Sequence, residues 1–215
     1  MKTKIIRVSL KEREKAAKAV ELAAKAIAEG HIIAYPTETT YAIGAKLDST
    51  VGIEELYKIK GRTENQPTSA VCSDIKQIEN YCYLTKAEGR LAKTFWPGPL
   101  TICLLAKGNV NNNLLAPDGT LGVRVTSFPW LVKLIKAVGV PILSPSANFS
   151  GSSAPSKRAQ IDKKLAELVD YVVDIEPGGK KPSTIVKLIG SKVNIIREGE
   201  IKKSEIEERL KGVKS

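Results

Sequence analysis

The chain runs to 215 residues, 42% hydrophobic and 27% charged, with 34 Lys and Arg against 23 Asp and Glu, a net charge of +11. That length suits one domain able to bury a substantial core, and a composition this ordinary excludes a low-complexity chain. The apolar runs are too short for a membrane span, and Met1-Lys2-Thr3-Lys4 leads into no signal-peptide core, so a cytoplasmic protein is expected.

A strand is predicted over residues 5–8. Ser9-x-x-Glu12 reads as a capping box opening a helix over 10–29, with Ala17, Val20, Ala24 and Ile27 on one face and Gly30 as its stop. A strand at 31–35, a helix at 53–59, a strand at 69–72 and a helix at 75–81 come next. Thr85-x-x-Glu88 opens the next helix towards Phe95, and a strand covers 100–105. Residues 109–119, rich in Asn, form a long surface loop before a strand at 121–125, a helix at 130–137 and a strand at 140–143. A helix at 159–168 precedes strands at 171–173, 184–188 and 193–197, with loops at 150–156 and 176–183. Ser204-x-x-Glu207 opens a last short helix before Leu210. Helices and strands interleave throughout. The class is α/β, a single-domain twisted mixed parallel/antiparallel sheet flanked by helices over residues 1–215, its core about 10–200.

Cys72, Cys82 and Cys103 are odd in number and lack Cys-x-x-Cys spacing, so neither a disulfide framework nor a zinc site is indicated. Cys72 and Cys103 sit in apolar runs and read as core residues. The net charge favours polyanionic partners such as nucleotides, pyrophosphate or RNA. The basic pairs Lys157-Arg158, Lys163-Lys164, Lys180-Lys181 and Lys202-Lys203 are dispersed, which predicts a basic face without an RNA-reading motif.

Two stretches concentrate groups that hold phosphate oxygens. Lys60-Gly61-Arg62 supplies a point charge and a bidentate fork; residues 144–151, Ser-Pro-Ser-Ala-Asn-Phe-Ser-Gly, supply hydroxyls, an amide and backbone N–H groups. Each also has a structural reading: cations at a helix end offset its dipole, and a Pro-Ser-x-Asn turn caps the next segment of chain. Brought together by two strand ends, they would form an anion site. His31 is the one histidine, so chemistry here would run on charge stabilisation and positioning. Tyr35-Pro36-Thr37-Glu38-Thr39 places a rigid turn and short polar side chains at a strand end. Arg124 lies in an apolar strand, where a structural ion pair with a carboxylate is the alternative to a ligand role. Residues 178–184, Gly-Gly-Lys-Lys-Pro-Ser-Thr, echo a P-loop, but the spacing is absent and Pro182 removes a needed N–H.

These stretches, together with 35–41 (Tyr-Pro-Thr-Glu-Thr-Thr-Tyr), 96–101 (Trp-Pro-Gly-Pro-Leu-Thr), Gly122-Val123-Arg124-Val125, Ser183-Thr184-Ile185-Val186 and 195–199 (Ile-Ile-Arg-Glu-Gly), stand in the order found in the YrdC family, which the chain resembles from about His31 to Gly199. The family comprises threonylcarbamoyl-AMP synthases, the first enzymes of threonylcarbamoyladenosine formation in tRNA. The resemblance implies a YrdC-like fold with a positively charged concave cleft and an ATP-dependent nucleotidyltransferase using L-threonine and bicarbonate or carbon dioxide. It gives Lys60 and Arg62 catalytic and ATP-binding roles and assigns Thr120, Ser146, Asn148 and Arg197 to ATP. Thr37, Arg124, Ser144 and Ser183 fall to threonine, with Tyr41 as a pocket wall. Magnesium would be held mainly by the ATP phosphates, with no dedicated metal site. Expected partners are a downstream threonylcarbamoyl transferase receiving the labile product and RNA or tRNA on a basic face, with no membrane. Longer members append a second domain after a linker, which is not expected in a chain of this length. It departs from the family at Thr40-Tyr41-Ala42-Ile43-Gly44, at 68–71 (Thr-Ser-Ala-Val) and at Pro182, which bears on the threonine pocket. Two other readings are a non-catalytic double-stranded RNA or tRNA binder and an adenylating enzyme for another carbamate.

Overall fold

The structure is a computed structural model and describes residues 3–9, 12–62, 66–190 and 192–211. Its strands are β1 (Lys4–Arg7), β2 (Ile33–Pro36), β3 (Tyr41–Gly44), β4 (Ser69–Cys72), β5 (Leu100–Leu105), β6 (Thr120–Val125), β7 (Ile142–Leu143), β8 (Tyr171–Asp174), β9 (Thr184–Ile189) and β10 (Lys192–Arg197). They fall into two sheets, ordered β1-β8-β2-β3 and β10-β9-β5-β6-β4-β7, where one was expected. Both mix directions or join by crossovers: β2 runs antiparallel to β3 and parallel to β8, and β6 runs parallel to β4 and antiparallel to β5.

The division between the sheets is narrow. β3 lies antiparallel along residues 141–147, bridging at Ala42–Ser146 and Lys46–Ile142, with Ile43 N donating to Pro145 O and Leu143 N to Ala45 O, each at 2.9 Å. β7 keeps only two residues because Pro141 and Pro145 bracket it, and neither has an N–H for a ladder. The sheets therefore meet at a seam of incomplete pairing. β3 was not foreseen from sequence: all four of its residues are buried, and burial on both faces erases the alternation that marks a strand.

The helices are α1 (Arg13–Ala28), α2 (Thr50–Lys60), α3 (Ile75–Glu79), α4 (Lys86–Phe95), α5 (Pro129–Val138), α6 (Lys163–Leu168) and α7 (Lys203–Lys211). In α1 the buried stripe is Ala19, Val20, Ala23, Ala24, Ala26 and Ile27, while Ala17 on the open first turns is not part of it. This stripe packs with Trp130, Leu131, Leu134 and Ile135 of α5 and with Ile33, Val71, Ile142 and Val173 of the sheets. A second core gathers Leu56, Leu91, Phe95, Leu100, Ile102, Leu121, Val123 and Val186. The Thr85 capping box is present: Glu88 N donates to the Thr85 hydroxyl, and the Glu88 carboxylate accepts from Thr85 N at 2.8 Å. The other two boxes are not. α1 starts at Arg13 with no side-chain cap, and the Ser9 carbonyl accepts from Glu12 N at 3.1 Å. In α7 the Glu198 carboxylate accepts from Lys203 N at 3.0 Å, so Ser204 lies inside the helix. The helix expected over 159–168 shortens to α6, capped by the Asp162 carboxylate.

The second sheet has two unlike faces. Leu121, Val123 and Val125 of β6, with Leu100, Ile102 and Leu104 of β5, point to the core. The alternate residues Thr120, Gly122 and Arg124, with Thr101 and Cys103, line a cleft. Cys103 thus belongs to the cleft rather than the core expected for it, while Cys72 is fully buried. All three thiols are free. No helix among the described residues is long and apolar enough to cross a membrane.

Candidate functional site

The cleft opens along the seam. The β2–β3 turn supplies Thr37, Thr39 and Thr40; β4, β5, β6 and β9 supply Ser69, Thr101, Arg124 and Lys187; the segment after β7 supplies Ser144, Pro145 and Ser146. A register shift between Ile195 and Arg197 lets adjacent residues of β10, Ile196 and Arg197, both face the cleft. Thr37, Arg62, Thr120, Arg124, Ser144, Ser146, Ser183 and Arg197 all line it. Lys60 and Asn148 sit behind Ser146, bonded to its loop. The ten residues singled out in the sequence therefore converge on one place.

Helix α2 explains how Lys60 and Arg62 arrive there. Ser49 caps its start, and it ends on Gly61 in the left-handed conformation (φ 60°), so Lys60 is its last residue and Arg62 leaves on a new heading. The buried Lys60 Nζ donates to the carbonyls of Ser146, at 2.6 Å, and Asn148, and to Asn148 Oδ1 at 3.3 Å. All three ammonium protons are thus taken up by the loop. Burial, and then the Arg62 charge, push the Lys60 pKa down to about 8. Arg62 donates to the Pro67 carbonyl at 3.4 Å, and burial lowers its pKa as well. The Ser146 hydroxyl meets Asn148 Oδ1, whose amide reaches the Ser152 carbonyl.

At the opposite end Arg124 is only 3% exposed and pairs through Nε with Glu38 at 2.8 Å; the Thr126 hydroxyl donates to the other Glu38 oxygen at 2.5 Å. Nη1 and Nη2 have no acceptor among the described residues. Glu38 was not among the residues singled out as functional. Its signal was an acid in a turn bounded by buried residues, complementary to the one arginine inside an apolar strand. Ser144 is 7% exposed, and its Oγ has no hydrogen-bond partner among the described residues; nor has Thr68 Oγ1 on the same cleft wall. The Thr37 hydroxyl, by contrast, is fully engaged: it donates to the Thr40 carbonyl at 2.7 Å and accepts from Thr39 N and Thr40 N. It shapes the turn, leaving the turn's backbone to face the cleft.

Ser183 and Arg197, assigned by resemblance to different substrates, touch. Arg197 Nη2 donates to the Ser183 carbonyl at 2.9 Å and lies 3.3 Å from its hydroxyl, which also shares a proton with Thr101 Oγ1 at 2.9 Å. Burial, and then Arg124, lower the Arg197 pKa. Thr120 donates its hydroxyl to Asp118 Oδ1 at 2.6 Å, and Asp118 pairs with Lys187. Tyr41 lines the cleft with its hydroxyl fixed on the Ile175 and Val173 carbonyls, and burial raises its pKa. His31 lies outside the cleft, 3.3 Å from Asp170. No group of three or more His, Cys, Asp or Glu among the described residues could hold a metal ion.

The cleft thus gathers arginines, orphan hydroxyls and a lysine-held Ser-x-Asn loop, groups of the kind that hold anions through charge and preset geometry. The family model described as "Telomere recombination" (Sua5_yciO_yrdC) matches residues 25–199, and the chain belongs to that family. It is 36% identical over 205 residues to the "Putative threonylcarbamoyl-AMP synthase" of Methanocaldococcus jannaschii, covering 94% of this chain and 95% of that one. It is 32% identical to the threonylcarbamoyl-AMP synthase of Bacillus subtilis over 86% of this chain, but spans only 54% of that relative's length. Among solved structures, Pyrococcus abyssi Sua5 complexed with L-threonine matches with a TM-score of 0.88 at 30% identity, over 96% of this chain and 60% of that one. Escherichia coli YciO matches with a TM-score of 0.82 at 26% identity, over 95% and 98%.

Proposed function

We propose that the chain is a threonylcarbamoyl-AMP synthase, a nucleotidyltransferase acting on ATP, L-threonine and bicarbonate or carbon dioxide. The observation that carries this reading is the pairing, within one cleft, of a buried Arg124 whose Nη groups lack acceptors with the Lys60–Ser146–Asn148 loop. The first suits a carboxylate, the second a polyphosphate. The names of the relatives and the L-threonine complex of P. abyssi Sua5 support it.

The threonine amine adds to carbon dioxide, forming an N–C bond and releasing a proton. A carbamate oxygen then attacks the α-phosphorus as the bond to pyrophosphate breaks, giving threonylcarbamoyl-AMP. Arg124 and Ser144 hold the amino acid, with Ser183 and the Thr37 turn beside them. Arg62 offers a fork to the phosphates, Lys60 keeps the Ser146–Asn148 loop in shape, and Thr120 and Arg197 complete the nucleotide contacts. Magnesium would travel on the triphosphate: Asp118, the one carboxylate among the described residues lining the cleft, is already paired with Lys187. The product is a labile mixed anhydride, which suits hand-over to a threonylcarbamoyl transferase acting on tRNA in the cytoplasm. The net charge of +11 favours RNA on an outer basic face.

Incubation with ATP, bicarbonate and labelled L-threonine tests this directly. Threonine-dependent pyrophosphate release is expected. Release no greater than in a control without threonine overturns the synthase reading, and tight RNA binding in the same preparation would then favour a non-catalytic binder. Activity with another amino acid but not threonine would point to a different carbamate.

A further inference from the structure

Residues Gly178-Gly179-Lys180-Lys181 echo a phosphate loop without its spacing, and the phosphate-type groups of the cleft stand elsewhere. The glycines have a different occupation. Gly178 N donates to the Thr37 carbonyl at 2.8 Å, so this loop lies directly against the β2–β3 turn. A Cβ at Gly178 would fall 3.1 Å from Glu38 Cα and 3.2 Å from the Glu38 carbonyl oxygen. At Gly179 it would fall 2.8 Å from the Glu38 carbonyl oxygen and 3.1 Å from that of Thr39. These neighbours are backbone, which cannot swing aside as a side chain does. Neither glycine has a positive φ, so close approach rather than conformational freedom demands them.

The turn pressed by the glycines carries Glu38, which fixes Arg124 through Nε. The same loop then runs on to Pro182 and Ser183, which form cleft wall. One segment thus braces the turn behind Arg124 and supplies the groups beside it. We propose that the Gly178–Gly179 pair is a positioning element that sets the Arg124–Ser183 spacing, and with it the fit of the amino-acid substrate. This rests on the reading of that end as the threonine site.

The test uses the whole chain with Gly179→Ala, Gly178→Ala and, as a control, Gly108→Ala, whose Cβ would meet nothing within 4 Å. KM for threonine and for ATP, nucleotide-free threonine binding by calorimetry, and melting temperature are measured for each. A shift of a fraction of an ångström to an ångström in a substrate-orienting group costs up to about 10²-fold, so Gly179→Ala should raise threonine KM by about tenfold to a hundredfold. Its ATP KM should stay within about twofold, and the threonine-over-serine preference should shrink. Gly178→Ala should show a smaller rise, and Gly108→Ala none. Unchanged threonine KM in Gly179→Ala, or equal rises for threonine and ATP, would overturn the proposal. If Gly179→Ala fails to fold, Gly178→Ala decides by the same threonine-to-ATP split. Wild-type protein that binds no L-threonine would remove the proposed function and this role together; wild-type binding with an unaltered Gly179→Ala removes the glycine role alone.

Discussion

At the Lys60 end of the cleft, every ammonium proton already has a protein acceptor in the Ser146–Asn148 loop. At the Arg124 end, the Ser144 hydroxyl is buried without a partner among the described residues, and the two outer guanidinium nitrogens have no acceptor there. A buried donor left unpaired costs about 1–3 kcal/mol, a penalty that a ligand supplying the acceptor removes. The Lys60 end is therefore shaped before any ligand arrives, through backbone held by a cation. The Arg124 end leaves donors without a protein acceptor among the described residues, open to a ligand. Affinity should depend on loop shape at one end and on direct contact at the other.

Arg124→Ala should break this comparison most severely. It removes the fork proposed for the threonine carboxylate and also leaves Glu38, 8% exposed, as an uncompensated buried charge. Breaking a buried pair by deleting one partner costs about 3–5 kcal/mol. Calorimetry should show threonine affinity falling by about 10²-fold or more, with a lowered melting temperature. Arg124→Lys keeps the charge without the planar fork and should recover stability better than affinity. Full threonine binding in Arg124→Ala would show that the guanidinium serves only Glu38.

Lys60→Ala should act through the loop. Loss of one preorganised charge-stabilising group costs about 10²–10³ in kcat, and ATP affinity should fall while nucleotide-free threonine affinity changes little. The pH dependence sharpens the point. With a folded pKa of about 8, below the ordinary lysine value of 10.5, the native state binds fewer protons than the unfolded state between those values. This group's contribution to stability therefore rises with pH from about 8 to 10.5. ATP affinity should move oppositely, falling as pH passes about 8, because a neutral amine cannot satisfy three acceptors. Isothermal titrations spanning that pH on both sides should show the inflection in wild type and lose it in Lys60→Arg. An inflection that survives in Lys60→Arg belongs to another group.

What could be read from sequence divides along a similar line between local and distant contacts. Thr85 and Glu88 find each other three residues apart, so their box was legible. The α7 cap comes from Glu198 outside the expected motif, and a Ser-x-x-Glu pattern could not show that. Arg124 stood out because a cation in an apolar strand needs a reason, yet its partner lies 86 residues away in sequence. Lys60 and the Ser146 loop were both legible as anion-binding types. That the lysine would be committed to the loop's own carbonyls required the seam, which Pro141 and Pro145 create by interrupting β7. The P-loop echo at Gly178 and Gly179 could be set aside in sequence for its missing spacing, whereas the backbone pressed against these glycines was not visible there.

Substrate choice gives a smaller effect at the Arg124 end. Threonine should outperform serine, since both supply a hydroxyl but only threonine brings a methyl to a cleft that includes Ala42, Pro182 and Ile185. One methyl in an apolar setting is worth about 1–3 kcal/mol, a preference in kcat/KM on the order of tenfold to two-hundredfold. Equal values for the two amino acids would mean that the methyl meets no apolar wall.

The gentlest comparison sets two serines against each other, one from each end. The Ser146 hydroxyl is bonded to Asn148 Oδ1, so Ser146→Ala loses a native contact within the Lys60-held loop. A neutral hydrogen bond contributes about 0.5–1.5 kcal/mol, so ATP affinity should fall about two- to tenfold with a slight drop in melting temperature. The Ser144 hydroxyl has no partner among the described residues to lose. Ser144→Ala removes an unsatisfied buried group, which should leave the unliganded protein as stable as wild type or up to about 1 kcal/mol more so. Threonine affinity should nevertheless fall by about the same two- to tenfold, because on the proposed reading the ligand supplies the hydroxyl's acceptor. Melting curves with and without threonine separate the cases: Ser144→Ala should lose part of the ligand-induced shift from an undiminished baseline, and Ser146→Ala should keep that shift from a lowered one. Identical behaviour in the two variants would abolish the distinction between an end shaped in advance and an end completed by its ligand.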